Sequence, residues 1–261
     1  MNFRVILAIG IALFFGASYL FKTSENPITG ETQRLSLTPE QEIALGLNSA
    51  PQMAAQLGGI SRNEQLARIV RAAGERLVAR SVAVKSPYKF SFNVLADPRT
   101  INAFALPGGP VFITEGLLRM LKTEGEVAAV LGHEIGHVLA RHGAEHLAKQ
   151  ELTQGLAGAV GIGAGDYNAT RIAQVVGSLV NMKYGRDDEI ESDILGVRIM
   201  VESGYDPRAM LKVMEVLAKA SAGARQPEFL STHPNPGNRS ERIQAEITKR
   251  YPGGVPEGLA R

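Results

Sequence analysis

Apolar positions change their period several times along the chain, and each change marks an element. The first stretch, "MNFRVILAIGIALFFGASYLFK", is apolar on every side, with 17 uncharged residues from Val5 to Phe21 between Arg4 and Lys22. That length lies between a signal-peptide core and a full membrane span. Residues 1–22 are therefore expected to be an uncleaved anchor, with a cleaved signal as the alternative. The positive charge at the start predicts an inside N-terminus and an exported body. Residues 23–36 are polar, contain Pro27 and Gly30, and read as a linker. Helical spacing begins after Thr38, with Pro39 at the first helical position. It resumes after Ser61, which offers a capping box with Glu64. In "YKFSFNVLA" the period drops to two, with Phe90, Phe92 and Val94 alternating with polar or small residues, which predicts a strand.

"INAFALPGGPVFITEGLLRML" reads as two short strands around a Pro-Gly-Gly-Pro turn, followed by a helix from about Thr114. Thr123 and Glu126 form a second capping box and open the helix that carries "EVAAVLGHEIGHVLARH". The glycine-laden stretch 155–165 is expected as a loose helix or mobile loop. Helical patterns return over 168–182 and 186–203. Asp206-Pro207 caps a further helix, and Asn235-Pro236 or a neighbour opens the last. The sum is one mainly helical α+β domain over residues 37–261 with a small β-sheet.

Composition narrows the function. With 44% hydrophobic and 21% charged residues, the chain can bury a sizeable core. The net charge of +2, without a dense Lys/Arg block, argues against nucleic acid as a partner. Cysteine is absent, so any metal must rest on His and carboxylates.

The segment 126–142 places an acid and two imidazoles among residues suited to a dry interior. His133 and His137, four apart on a helix, share one face and can present two nitrogens to one ion. Glu134 is rotated by about 100° from His133 and sits beside that ion, as a general base for an activated water does. Buried alone among Val127, Ala128, Val130, Leu131, Ile135 and Val138, such a carboxylate would cost several kcal/mol; a neighbouring dication removes the penalty. A third ligand is still needed. The metzincin spacing fails, because Ala140 and Gly143 stand where Gly and His are required. His142 and His146, five and nine residues after His137, leave the ligand face and read as surface histidines. "YGRDDEIESDILGVRIM" offers Glu189 as the third ligand. Asp193, one turn on, can accept the free N–H of a ligand histidine. Glu191 is the competitor, facing another way. A solvated acidic helix N-terminus is the bland alternative for this stretch.

These residues resemble the gluzincin metallopeptidases related to the CAAX prenyl protease and to bacterial envelope and mitochondrial quality-control proteases. The resemblance rests on "HEIGH", "RDDEIESD", the upstream "NAFALPGGPVFITEGLL" and the downstream "STHPNPGNR", in order from Asn102 to Arg239. It implies one zinc ion held by His133, His137 and Glu189, with Glu134 as base, in a zincin-like fold. The 103–114 hairpin would form the rim of the substrate cleft. The prenyl proteases have a multi-span body, whereas this chain carries one apolar segment, so a compact protease of the periplasm or cell envelope is expected. Its partners would be unfolded or misfolded polypeptides, held along an edge strand, and the membrane through the N-terminal segment. His233 is the first candidate to stabilise the oxyanion, with Tyr184 or Arg186 in reserve; in some relatives this loop histidine approaches the zinc and keeps the enzyme quiet. A turn histidine fixed between Thr232 and Pro234 is the plain alternative. Two other metal questions stay open. Two histidines and a carboxylate also suit other divalent ions. A zinc-stabilised, chaperone-like module that binds unfolded clients without cutting is the rival function.

Overall fold

The computed structural model describes residues 3–164, 183–222, 227–234 and 237–261, with the backbone alone for 155–164. Helix α1 (Phe3–Phe21) is followed by a hairpin of β1 (Thr23–Glu25) and β2 (Thr32–Arg34), then by α2 (Pro39–Gln56) and α3 (Glu64–Ala79). Strands β3 (Ser91–Leu95), β4 (Ala103–Ala105) and β5 (Pro110–Thr114) precede the short α4 (Glu115–Leu118). The remaining helices are α5 (Glu124–Leu139), α6 (His142–Ala164), α7 (Arg186–Glu202), α8 (Ala209–Ser221), α9 (Glu228–Thr232) and α10 (Arg239–Arg250). This is the expected mainly helical α+β fold. The helical pattern over 168–182 lies outside the described residues, as do Asn235 and Pro236; the last helix opens just beyond them, with Asn238 at its N-cap position.

Local chemistry explains most of the boundaries. Thr38 caps α2 in a capping box with Gln41, and Pro39 follows at the first helical position. Asn63 caps α3, its Oδ1 accepting from the N–H groups of Gln65 and Leu66. The expected cap, Ser61, is used elsewhere: its N–H donates to the Val94 carbonyl and its hydroxyl to Glu115 at 2.6 Å. At the head of α5 the Thr123 hydroxyl accepts from Glu126 N–H. The Glu126 carboxylate reaches back to Lys122 N–H at 2.6 Å.

The three-stranded sheet has the order β3-β5-β4, with β5 parallel to β3 and antiparallel to β4. Every residue of β5 is buried, as a central strand covered on both faces requires. β4 lies at the edge. The turn between β4 and β5 uses Gly108 and Gly109 at φ of 81° and 122°, a conformation open to glycine and costly for other residues.

Behind the sheet runs α5, buried at every residue after Glu124. Its main partner is α7, and the approach is close. A Cβ on Gly136 would stand 2.8 Å from the Ser192 carbonyl oxygen, and one on Gly196 would stand 3.2 Å from the His133 nitrogen. These glycines let the two backbones meet where larger residues would hold them apart, and so bring the acids of α7 to the histidines of α5.

The stretch read as a linker contains the β1–β2 hairpin, which packs on the C-terminal end of α5. Asn26 Nδ2 donates to the Leu139 carbonyl at 2.8 Å, and Gln33 Nε2 donates to that of Ala140. Both side chains are buried, and they satisfy helix-end carbonyls that lack intrahelical partners. Nothing in the local sequence marks this, because the partners are 107 and 113 residues away.

Candidate metal centre

His133 and His137 lie one above the other on α5, with rings 84° apart and Nε2 atoms separated by 3.1 Å. Glu189 enters from the first turn of α7, with Oε1 at 3.3 Å from His137 Nε2 and Oε2 at 3.5 Å from His133 Nε2. His233, just after α9, brings Nδ1 to 3.0 Å from Glu189 Oε1 and 3.3 Å from His133 Nε2. All four residues are buried, and each offers an atom within 4.8 Å of the other three.

Hydrogen bonds within the cluster leave Glu189 Oε2 and His233 Nε2 without a partner among the described residues. A neutral imidazole has one N–H and one lone pair, and the Nδ1 proton of His133 goes to Asp193. Its Nε2 lone pair then faces the Nε2 of His137 across 3.1 Å. Converging lone pairs on nitrogen and oxygen, with no sulfur, are the donor set that holds zinc. The residues therefore fit the ion.

Glu134 stands beside the cluster and is completely buried, yet neither carboxylate oxygen has a hydrogen-bond partner among the described residues. His233 Nε2 is 3.7 Å from its Oε1. Burial pushes the Glu134 carboxyl above its usual range, opposed by the charges of His233 and His133. Glu189 moves the other way. Burial alone would raise it, but the His233 charge and the facing imidazoles of His137 and His233 hold it well below the usual carboxylate range. For His233, burial disfavours the charged ring, and the facing Glu189 and Glu134 outweigh it, so its pKa is raised.

Asp193, one turn beyond Glu189, accepts from His133 Nδ1 at 2.9 Å, the contact expected of it. It is held in turn by Arg239 at the start of α10, whose Nε and NH2 reach its two oxygens at 2.7 and 2.8 Å. Arg239 NH1 also lies 2.9 Å from Glu189 Oε2. One buried guanidinium thus spans both acids of α7. Arg239 closes the "STHPNPGNR" stretch, where no local pattern assigns it a task. The only available signal was its place in that motif.

His142 corrects the reading of a surface histidine: it is 2% exposed and lies against His137, with Nδ1 atoms 2.9 Å apart. Its Nε2 is 3.0 Å from Glu191 Oε2, so Glu191 does face away from the cluster but has a partner there. His146 is partly exposed, 4.0 Å from Asp188. Of the reserve candidates, Tyr184 stacks on His137 at 4.0 Å, and its N–H donates to the Thr232 carbonyl beside His233. Arg186 is exposed.

Residues 61–247 match the profile of Peptidase family M48. The chain belongs to this family. The M48 span includes every residue of the cluster and its supports, from His133 to Arg239. Among M48 relatives, the chain is 33% identical over 239 residues to a beta-barrel assembly-enhancing protease of Yersinia pestis, covering 87% of this chain and 48% of that one. It is 32% identical over 223 residues to the protein of that name from Escherichia coli (82% and 45% covered). It is also 35% identical over 176 residues to the mitochondrial metalloendopeptidase OMA1 of Schizosaccharomyces pombe (65% and 50% covered). The chain spans about half the length of these relatives.

Proposed function

We propose that the chain is a zinc-dependent endopeptidase, with His133, His137 and Glu189 holding the ion and Glu134 as general base. The observation that carries this is Glu134 itself: a fully buried carboxylate with two unbonded oxygens beside four converging metal donors. Zinc bound there supplies Lewis-acid chemistry, polarising a scissile carbonyl and lowering the pKa of a water. Glu134 takes the proton from the attacking water and delivers it to the leaving amine. The Ala103–Ala105 edge strand, whose backbone approaches Glu134 at Ala105, aligns an extended substrate by main-chain pairing. Such pairing reads backbone more than side chain and suits unfolded protein.

His233 acts as a gate in this proposal. With its Nδ1 in the donor cluster, His233 would give a bound ion a fourth protein donor, whereas a catalytic site keeps one place open. His233 must therefore swing aside for turnover. The rival reading, a zinc-stabilised binding module, accounts for four ligands but leaves Glu134 without a task. The names of the bacterial relatives and the apolar α1 support a cell-envelope setting, with misfolded envelope polypeptides as substrates.

The test uses casein as an unfolded substrate, with zinc content measured alongside. Glu134→Gln should bind zinc as wild type does and lose about 10²-fold or more in kcat; equal cleavage would sink the assignment. His233→Ala should raise turnover at unchanged zinc stoichiometry if it gates the site. A loss of turnover would instead make His233 an oxyanion-stabilising group.

A further inference from the structure

We propose that His142, braced by Glu191, is a positioning residue that fixes the tautomer and ring plane of His137; the inference rests on the metal-centre reading above. A glutamate carboxylate has only acceptor atoms, so at 3.0 Å it accepts a hydrogen bond from His142 Nε2–H. That leaves a lone pair on His142 Nδ1. The facing group, 2.9 Å away, is His137 Nδ1, which must then carry the proton of its ring. The consequence falls on the far side of His137, where Nε2 is left as a lone pair directed at the donor cluster. A ring holding its proton on Nε2 would aim N–H at the ion and bind nothing. The Ser192 hydroxyl, 3.4 Å from His142 Nδ1, is a second group placed to donate to that lone pair.

The backbone is built to put His142 there. In a continuous helix, a residue five beyond His137 would not lie over its ring. The helix stops instead, and Arg141 takes φ of +58°, the one non-glycine residue with positive φ among the described residues. Such a conformation is costly for an arginine and persists only where its surroundings over-determine it. Here they do. The Arg141 guanidinium forms a buried ion pair with Glu42 on α2 and donates to the Leu37 carbonyl at 2.9 Å. The turn breaks the chain between α5 and α6, and the first residue of α6, His142, lies against the side of the His137 ring that faces away from the cluster. His133 is braced by Asp193 and Arg239 on one side of the site; His137 is braced by His142 and Glu191 on the other.

Zinc affinity, read by competition with a chromogenic chelator, separates positioning from plain packing. His142→Phe keeps the ring volume but removes the acceptor, and the dissociation constant should rise about 10- to 100-fold. His142→Asn, whose Oδ1 stands in for Nδ1, should stay within about threefold of wild type. Glu191→Gln retains an acceptor and should also stay close, whereas Glu191→Leu frees the histidine to turn over and should weaken binding. The ¹⁵N shifts of the His137 ring should report Nδ1–H in wild type and His142→Asn, and a tautomer mixture in His142→Phe. If His142→Phe fails to fold, the Glu191 pair and the ring shifts carry the decision. Wild-type zinc affinity in both His142→Phe and Glu191→Leu, or a wild-type His137 ring protonated on Nε2, overturns the proposal. A wild-type protein that binds no zinc would instead defeat the metal-centre reading beneath it.

Discussion

Arg239 illustrates how much one buried side chain decides. Fully enclosed, it joins Asp193 and Glu189 by contacts of 2.7 to 2.9 Å. Removing it strips the guanidinium from two buried carboxylates, so Arg239→Met should cost about 3–5 kcal/mol in urea denaturation of zinc-free protein. Arg239→Lys should recover little, since a point charge cannot replace a planar fork that bonds both oxygens of Asp193. The same pairing gives a pH dependence. Burial alone would raise the Asp193 carboxyl, but Arg239 and the His133 hydrogen bond outweigh it and hold it below its usual value. A folded pKa below the unfolded value of about 3.9 means that the stabilisation is complete above that value. It is lost as pH falls through the folded one. The urea midpoint of zinc-free protein should fall below about pH 4, and Asp193→Asn should flatten part of that fall. Parallel curves for the two proteins would count against the pairing.

At the scale of elements, the contact of α5 with α7 brings the donors together. The glycine within "HEIGH" allows it: at Gly136 a methyl group would press 2.8 Å from the Ser192 carbonyl, which is backbone and cannot rotate away. Gly136→Ala should push α7 outward, costing about 1–3 kcal/mol and weakening zinc binding as Glu189 withdraws. Wild-type melting temperature and zinc affinity in that variant would show that the helices tolerate the separation. The ends of α5 were unequally legible. Thr123 and Glu126 announce its start through adjacent polar atoms. Its finish depends on Asn26 and Gln33, which reach it only because the N-terminal hairpin folds across more than a hundred residues of chain.

Over the whole molecule, α1 stands apart in character. None of its 19 residues is buried, and at 1.5 Å per residue it is about 28 Å long, close to the hydrocarbon thickness of a bilayer. The helix lies against α6, which begins at His142 beside the metal cluster. A membrane anchor would therefore hold the centre near the lipid surface. The full chain should stay in the membrane pellet after a carbonate wash, and a chain lacking residues 3–21 should move to the supernatant. Full-length protein in the supernatant would remove the anchor.

By itself the sequence determined whatever depends on neighbours within a turn or two. It showed the strand alternation at Phe92 and Val94, most helix starts, the paired imidazoles of His133 and His137, and the spacing of Glu189 and Asp193. Those features are set by backbone periodicity, which distant residues do not alter. The resemblance implied which donors meet; only the tertiary structure showed how they are brought together and braced. His233 joins the cluster, Arg239 clamps two acids, and His142 returns beneath His137 through a left-handed arginine that no local preference foretells. Each of these rests on contacts between segments far apart in the chain. Their energies come from burial and charge pairing, which exist only once the core has closed.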